Sequence, residues 1–250
     1  MNALQAFSLE GKRVLVTGAS SGIGRECAIR IAEMGGTVFL TARRTDKLEE
    51  VRQGLPGPGH VCVAGDIWEL VQSGRLTAAL PELDGVVHSA GFTRLLPVRA
   101  LNETFLREIA QVNYEAPVLL SQQMLRARKI RAGGSVVFIA SIAARIATRG
   151  NAAYSGLKAG LGSFARVMAL ECSGQRIRVN TISPGQVRTP IMATDTGPVS
   201  ADMFAEYEKL YPLGFGEAKD VAHGVIFLLA DASSWVTGTD LVMDGGFLLA

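Results

Sequence analysis

Tyr154 and Lys158 stand four residues apart in Asn151-Ala152-Ala153-Tyr154-Ser155-Gly156-Leu157-Lys158. In a helix this spacing puts both side chains on one face, about one turn apart. An ammonium beside a phenol favours the phenolate and moves its pKa from about 10 toward the working range. A phenol so tuned can give or take a proton during a reaction. The same spacing also makes an ordinary helix face. Ser141 follows the apolar run 136–140, at a strand end where open α/β sheets bind ligands. Its hydroxyl is suited either to holding a substrate oxygen or to capping a turn.

A second kind of chemistry is written near the start of the chain. Val14-Leu15-Val16 runs into Thr17-Gly18-Ala19-Ser20-Ser21-Gly22-Ile23-Gly24, a strand, a glycine-rich turn and the start of a helix. Glycines let the backbone bend and approach a pyrophosphate, which is held by the unpaired N–H groups of the helix N-terminus. Such turns also serve simply to pack a strand on a helix, and the Gly-x3-Gly-x-Gly spacing differs from the commoner dinucleotide fingerprint. The end of the next apolar run carries Arg43-Arg44, with no acid until Asp46. A carboxylate there would hold a ribose 2′-hydroxyl, whereas guanidinium groups bind a 2′-phosphate with charge-assisted hydrogen bonds. The alternative is two solvated arginines, although cations at a helix start oppose its dipole. The charge pattern therefore predicts NADP(H) rather than NAD(H).

These residues need a scaffold. Seven short apolar runs, at 14–16, 38–40, 61–63, 85–87, 136–139, 177–182 and 241–243, read as strands buried on both faces. Between them, 23–34, 102–128 and 152–172 have the length and periodicity of crossover helices. Alternating strands and helices predict a parallel sheet covered on both sides, built as one domain. Composition agrees: of 250 residues, 48% are hydrophobic and 19% charged, which excludes a disordered chain. The net charge of +2 argues against nucleic acid or an anionic membrane as the main partner. Cys27, Cys62 and Cys172 form no CxxC and no disulfide framework. No signal-like segment opens the chain, and no apolar run reaches the roughly 18–20 residues of a membrane span. A soluble, cytoplasmic protein is expected.

In chain order, the marks are the 17–24 turn, Asp66, Ala90-Gly91, Asn113, Ser141, Tyr154 with Lys158, Ser183-Pro184-Gly185 with Thr189, and Asp244-Gly245-Gly246. Together they resemble the short-chain dehydrogenase/reductase family, along essentially the whole chain, with the 3-oxoacyl-carrier-protein reductases nearest in the closing segments. The resemblance implies a single-domain Rossmann fold over 1–250, with a seven-stranded parallel sheet and a substrate lid at about 190–216. It implies an NADPH-dependent oxidoreductase that reduces a carbonyl to a secondary alcohol, and a homo-oligomer, a tetramer. Tyr154 would exchange the proton, Lys158 would lower its pKa and bind the nicotinamide ribose, and Ser141 would position the carbonyl. Asn113 would hold a water linking Lys158 to solvent. Cofactor contacts would come from Gly18, Ser20, Ser21, Gly22, Ile23 and Gly24, and from Arg43 and Arg44 at the 2′-phosphate. Asp66 and Ile67 would lie at the adenine, with Ser89, Ala90 and Gly91 in the next turn. Pro184, Gly185, Val187 and Thr189 would follow, Thr189 at the carboxamide.

The chain also departs from the family pattern. It reads His88-Ser89-Ala90-Gly91 where Asn-Asn-Ala-Gly is common, and His88 is expected to be structural. Segment 67–83 is short for the usual helix. The lid region holds Met192, Met203, Phe204, Tyr207, Leu210, Tyr211 and Phe215, which would suit an apolar or medium-sized carbonyl substrate. A basic cluster at Arg126, Arg128, Lys129 and Arg131 would suit an acidic acyl carrier protein or merely a helix C-terminus. Ala169-Leu170-Glu171, where carrier reductases commonly have Ala-Arg-Glu, weakens the carrier reading. Two further alternatives are a non-catalytic NADP(H)-binding sensor, which loss of Tyr154 or Lys158 would have favoured, and a nucleotide-sugar epimerase or dehydratase, which usually has a longer C-terminal region.

Overall fold

A computed structural model of the protein describes residues 3–190 and 201–249, with backbone alone for 201–204. The strands are β1 (Arg13–Thr17), β2 (Thr37–Ala42), β3 (Val61–Ala64), β4 (Leu83–His88), β5 (Ile130–Ile139) and β6 (Arg178–Pro184), then β7 (Val187–Arg188), β8 (Gly216–Glu217) and β9 (Asp240–Met243). Seven of them form one sheet in the order β3-β2-β1-β4-β5-β6-β9. Every pairing in it is parallel. β7 and β8 form a separate two-residue parallel pair. The helices are α1 (Gly22–Glu33), α2 (Thr45–Gly54), α3 (Ile67–Gln72), α4 (Arg75–Ala79), α5 (Glu103–Ala110), α6 (Ala116–Arg126), α7 (Ala152–Glu171), α8 (Ala201–Glu208) and α9 (Ala218–Leu229).

All seven apolar runs are strands, and successive side chains face opposite layers, as the two-residue period of a strand requires. Val14, Val16, Val38, Leu40, Val137 and Ile139 pack under α1, α2 and α9. Leu15, Phe39, Val136 and Phe138 pack on the other face, against α3, α4, α6 and α7. With both faces covered, polar alternation is lost and the runs read as continuous apolar stretches. The chain proceeds outward from β1 to β3, then restarts at β4 on the other side of β1. That reversal opens a crevice at the carboxyl ends of β1 and β4, where ligands of such sheets bind.

One helix differs from what periodicity suggests. The run 102–128 is not one α-helix: α5 and α6 are joined by a π-helical turn, Gln111–Glu115. Pro117, early in α6, supplies the reason. In a regular α-helix its ring would collide with the carbonyl of residue 113 and leave that carbonyl without a donor. A wider turn relieves the clash. Segment 67–83 is indeed trimmed, to the short α3 and α4 joined through left-handed Gly74 (φ 68°). Among the described residues, no helix is long and apolar enough to cross a membrane.

Candidate active site

The turn after β1 is built around close backbone approaches. A Cβ on Gly24 would lie 2.5 Å from the Gly18 carbonyl oxygen, and one on Gly18 would lie 2.9 Å from the Ala90 backbone. Both contacts are with main chain, so neither glycine tolerates a side chain without moving α1 or the β4 turn. Thr17 ties the two turns together: its Oγ1 accepts hydrogen bonds from the N–H groups of Ser89 and Ala90, each at 3.0 Å. Ser21 is the N-cap of α1 without a side-chain capping bond, and the first turn holds no acid. The amino end of α1 thus offers N–H groups and partial positive charge to an anion. Across the crevice, Thr189 lies so near that a Cβ on Gly22 would be 3.4 Å from its side chain. This cradle fits the pyrophosphate of a dinucleotide, with Ser20, Ser21, Gly22 and Ile23 along its floor.

At the edge of the cradle, Arg44 donates to Ser20 Oγ at 3.1 Å. Arg43 and Arg44 are both exposed, and neither forms an ion pair among the described residues. Asp66 lies beyond β3 and N-caps α3, its Oδ1 accepting from Trp68 and Glu69 N–H at 2.9 and 3.4 Å. Ile67 and Val187 bury their side chains in the two cores, so a bound nucleotide would meet only their backbone. Gly185 has a packing reason to be glycine: a Cβ there would meet Asp244 at 2.9 Å and the Tyr211 ring at 3.0 Å. Pro184 ends β6 beside it.

Of the proposed chemical residues, Ser141 follows β5, Tyr154 and Lys158 lie in the first two turns of α7, and Asn113 comes from the turn between α5 and α6. Lys158 is buried and donates to the Ile139 carbonyl at 2.8 Å. Its ammonium lies 5.5 Å from the centre of the Tyr154 ring. Burial pulls the Lys158 ammonium down to about 8. Ser141, in extended backbone, caps the turn after β5, with Oγ accepting from Ala143 N–H at 3.1 Å. An acceptor role for the oxygen leaves the hydroxyl proton available to donate. Asn113 lies in the π-helical turn and is buried. Its amide donates to the carbonyls of Phe92 and Ile109, at 2.9 and 3.0 Å. Its Oδ1 is the one buried side-chain polar atom without a partner among the described residues. Gly91 joins these groups: a Cβ there would lie 2.8 Å from Asn113 Oδ1 and 3.6 Å from Lys158 Nζ.

His88 takes no place in this cluster. It is buried, stacked on Phe138 with ring centres 4.6 Å apart. Ser121 Oγ donates to the Pro117 carbonyl and therefore accepts from His88 Nε2–H at 3.1 Å. Burial lowers the imidazole to about 3, so it is neutral. The foot of the segment expected to act as a lid is an aromatic cluster, in which Tyr211 stacks on Phe247 at 4.5 Å and meets Phe215 edge-on at 5.0 Å. Arg188 pairs with Glu208 at 2.5 Å and Glu217 at 3.6 Å. Met192 lies outside the described residues, as do the side chains of Met203 and Phe204. The double acceptor Thr17 and the bond from Thr93 Oγ1 to Asn151 Oδ1 (3.2 Å) are positioning features that sequence reasoning did not single out. Their partners are tens of residues away, and no local pattern signals them.

Comparison with known proteins accords with this geometry. Residues 18–248 match the family model described as Enoyl-(Acyl carrier protein) reductase. The chain is 32% identical to D-erythrulose reductase of Gallus gallus, over 98% of each chain. It is 31% identical to a 3-oxoacyl-[acyl-carrier-protein] reductase of Thermotoga maritima, over 96% of this chain and 99% of that one. A crystal structure from Beutenbergia cavernae with bound NADP superposes with a TM-score of 0.87 at 31% identity, covering 98% of this chain and 100% of that chain.

Proposed function

The chain belongs to the short-chain dehydrogenase/reductase family of oxidoreductases, and on that premise we propose that it reduces a ketone to a secondary alcohol with NADPH, reversibly. The observation that carries the reading is the buried Lys158 ammonium, held by the Ile139 carbonyl within 5.5 Å of the Tyr154 ring. The nicotinamide, when bound, supplies hydride to the carbonyl carbon, which is chemistry of the cofactor. The residues of the chain handle the oxygen. Ser141 donates its free hydroxyl proton to the carbonyl oxygen and fixes its place. Tyr154 gives that oxygen its proton as negative charge develops, and Lys158 stabilises the phenolate left behind. Asn113 Oδ1 is buried and lacks a partner among the described residues, and such an atom calls for a water. That water would return a proton through Lys158.

The cofactor would be gripped by the 18–24 turn, the Ser89–Ala90–Gly91 turn and Thr189, with Asp66 toward the adenine. Arg43 and Arg44, exposed and without carboxylate partners among the described residues, favour a 2′-phosphate, and the NADP bound by the Beutenbergia cavernae relative supports the same choice. The segment 190–216 is the proposed lid, and the whole chain is proposed as one domain that assembles as a homotetramer. A monomeric mass by light scattering would remove the assembly from this reading.

The test is NADPH oxidation over a panel of ketones, with Tyr154→Phe beside the wild type. Loss of the proton donor is expected to lower kcat by 10²-fold or more, in the range of general acid catalysis, with the NADPH dissociation constant within about twofold. Equal turnover by the two proteins would refute the role of Tyr154. Tight NADPH binding without oxidation on any carbonyl would favour a sensor.

A further inference from the structure

Two loops leave the candidate active site and meet again at its outer edge. One starts at Gly91, beside Asn113 and Lys158, and runs through Leu95 to Val98. The other starts at Ser141 and returns to α7 through Arg149 and Gly150. They are stitched where Leu96 N–H donates to the Gly150 carbonyl at 2.7 Å. Gly150 has φ 81°, and a Cβ there would crowd Leu95 and Leu96 at 3.3 Å, so the stitch requires glycine. Between the loops lies a cavity of about 430 Å³ lined by Leu95, Pro97, Val98, Arg149 and Gly150. Arg149 is the one charged residue among those that line it. Leu95 and Val98 are exposed, at 44% and 68%.

The charges around this mouth are not equivalent. Arg94 is balanced by Glu108 at 3.7 Å, and Arg145 by Asp240 at 2.6 Å. Arg149 forms no ion pair or hydrogen bond among the described residues, though it lines the cavity. Gly91 is four residues before Leu95, and Gly150 is four residues before Tyr154. Four residues of extended chain reach at most about 14 Å. The cavity therefore lies within one small molecule's length of the reacting groups. An arginine among the apolar residues of this cavity complements a ligand with an apolar body and an anionic group, and planar carboxylates suit its fork.

Resting on the reductase reading above, we propose that Arg149 determines specificity: the ketone substrate carries a carboxylate, joined to the carbonyl by an apolar spacer that lies along Leu95, Pro97 and Val98. The carboxylate is unchanged by the reaction; hydride and proton add across the ketone alone. Binding by Arg149 orients the ketone toward Ser141 and Tyr154, as a remote charge clamp does.

The experiment compares oxo acids of increasing spacer length with their methyl esters, in wild type, Arg149→Lys and Arg149→Met. For the best spacer, the wild type is expected to prefer acid over ester by about tenfold or more in kcat/KM. Arg149→Met should reduce that ratio about tenfold, mainly through KM, and Arg149→Lys should retain part of it. A ratio near one in the wild type, or a ratio unmoved by Arg149→Met, overturns the proposal while leaving the reductase reading intact. Should no ketone be reduced, the reductase reading fails instead. The subsite is then read from binding of acid and ester to the NADPH complex by NADPH fluorescence, and acid binding indifferent to Arg149→Met overturns it.

Discussion

Lys158 and Arg149 are both cations of the proposed site, and their surroundings suit them to opposite tasks. Lys158 is desolvated, its pKa drawn down to about 8, so it can exchange a proton near neutrality as well as bear charge. Arg149 is exposed, and its planar guanidinium fork suits recognition. Arg43 and Arg44 belong with Arg149. If they bind a 2′-phosphate, replacing both by Ala should weaken NADPH binding at least tenfold, about 1.4 kcal/mol, while NADH binding moves little. Fluorescence titration with the two nucleotides measures this directly. Equal losses for both would show that the arginines do not read the phosphate.

At the level of elements, the junction between β1 and α1 is the most constrained. A Cβ on Gly24 would press on the Gly18 and Thr17 carbonyls, at 2.5 and 3.1 Å, and backbone cannot turn aside as a side chain can. Gly24→Ala should therefore cost about 1–3 kcal/mol, as overpacking does, and weaken NADPH binding as α1 shifts. Urea unfolding tests the first part; a loss under about 0.5 kcal/mol would mean that the approach is looser than described. This junction was readable because its signal is local: a strand, three glycines and a helix in twelve residues. The Tyr154–Lys158 pair was readable for the same reason. The π-helical turn was not, since 102–128 keeps helical periodicity on both sides and only Pro117 betrays the break. The Leu96–Gly150 stitch and the Thr17 double acceptor were also invisible, because they join residues more than fifty positions apart. Gly185 shows the remaining gap: beside the cofactor role that a family motif suggests, it has a packing reason, Tyr211 and Asp244, that no local pattern signals.

Across the whole molecule, the buried His88 links stability to acidity. Its pKa is about 3 folded against about 6.5 unfolded. Between these values the unfolded chain binds more protons, so stability is lost as pH falls below about 6.5. From pH 7 to pH 5 this group alone should remove roughly 2 kcal/mol. His88→Asn cannot titrate there, and its unfolding free energy should fall less over the same interval by about that amount. Parallel losses in the two proteins would assign the acid sensitivity elsewhere. At the opposite edge of the crevice, β7 pairs with β8, and Arg188 ties Glu208 to Glu217. The excursion between β7 and β8 thus begins and ends at one fixed point. Closing a flexible loop of twice the length costs only about 0.6 kcal/mol more. The proposed lid between these anchors can therefore change in length and sequence at little cost to the sheet.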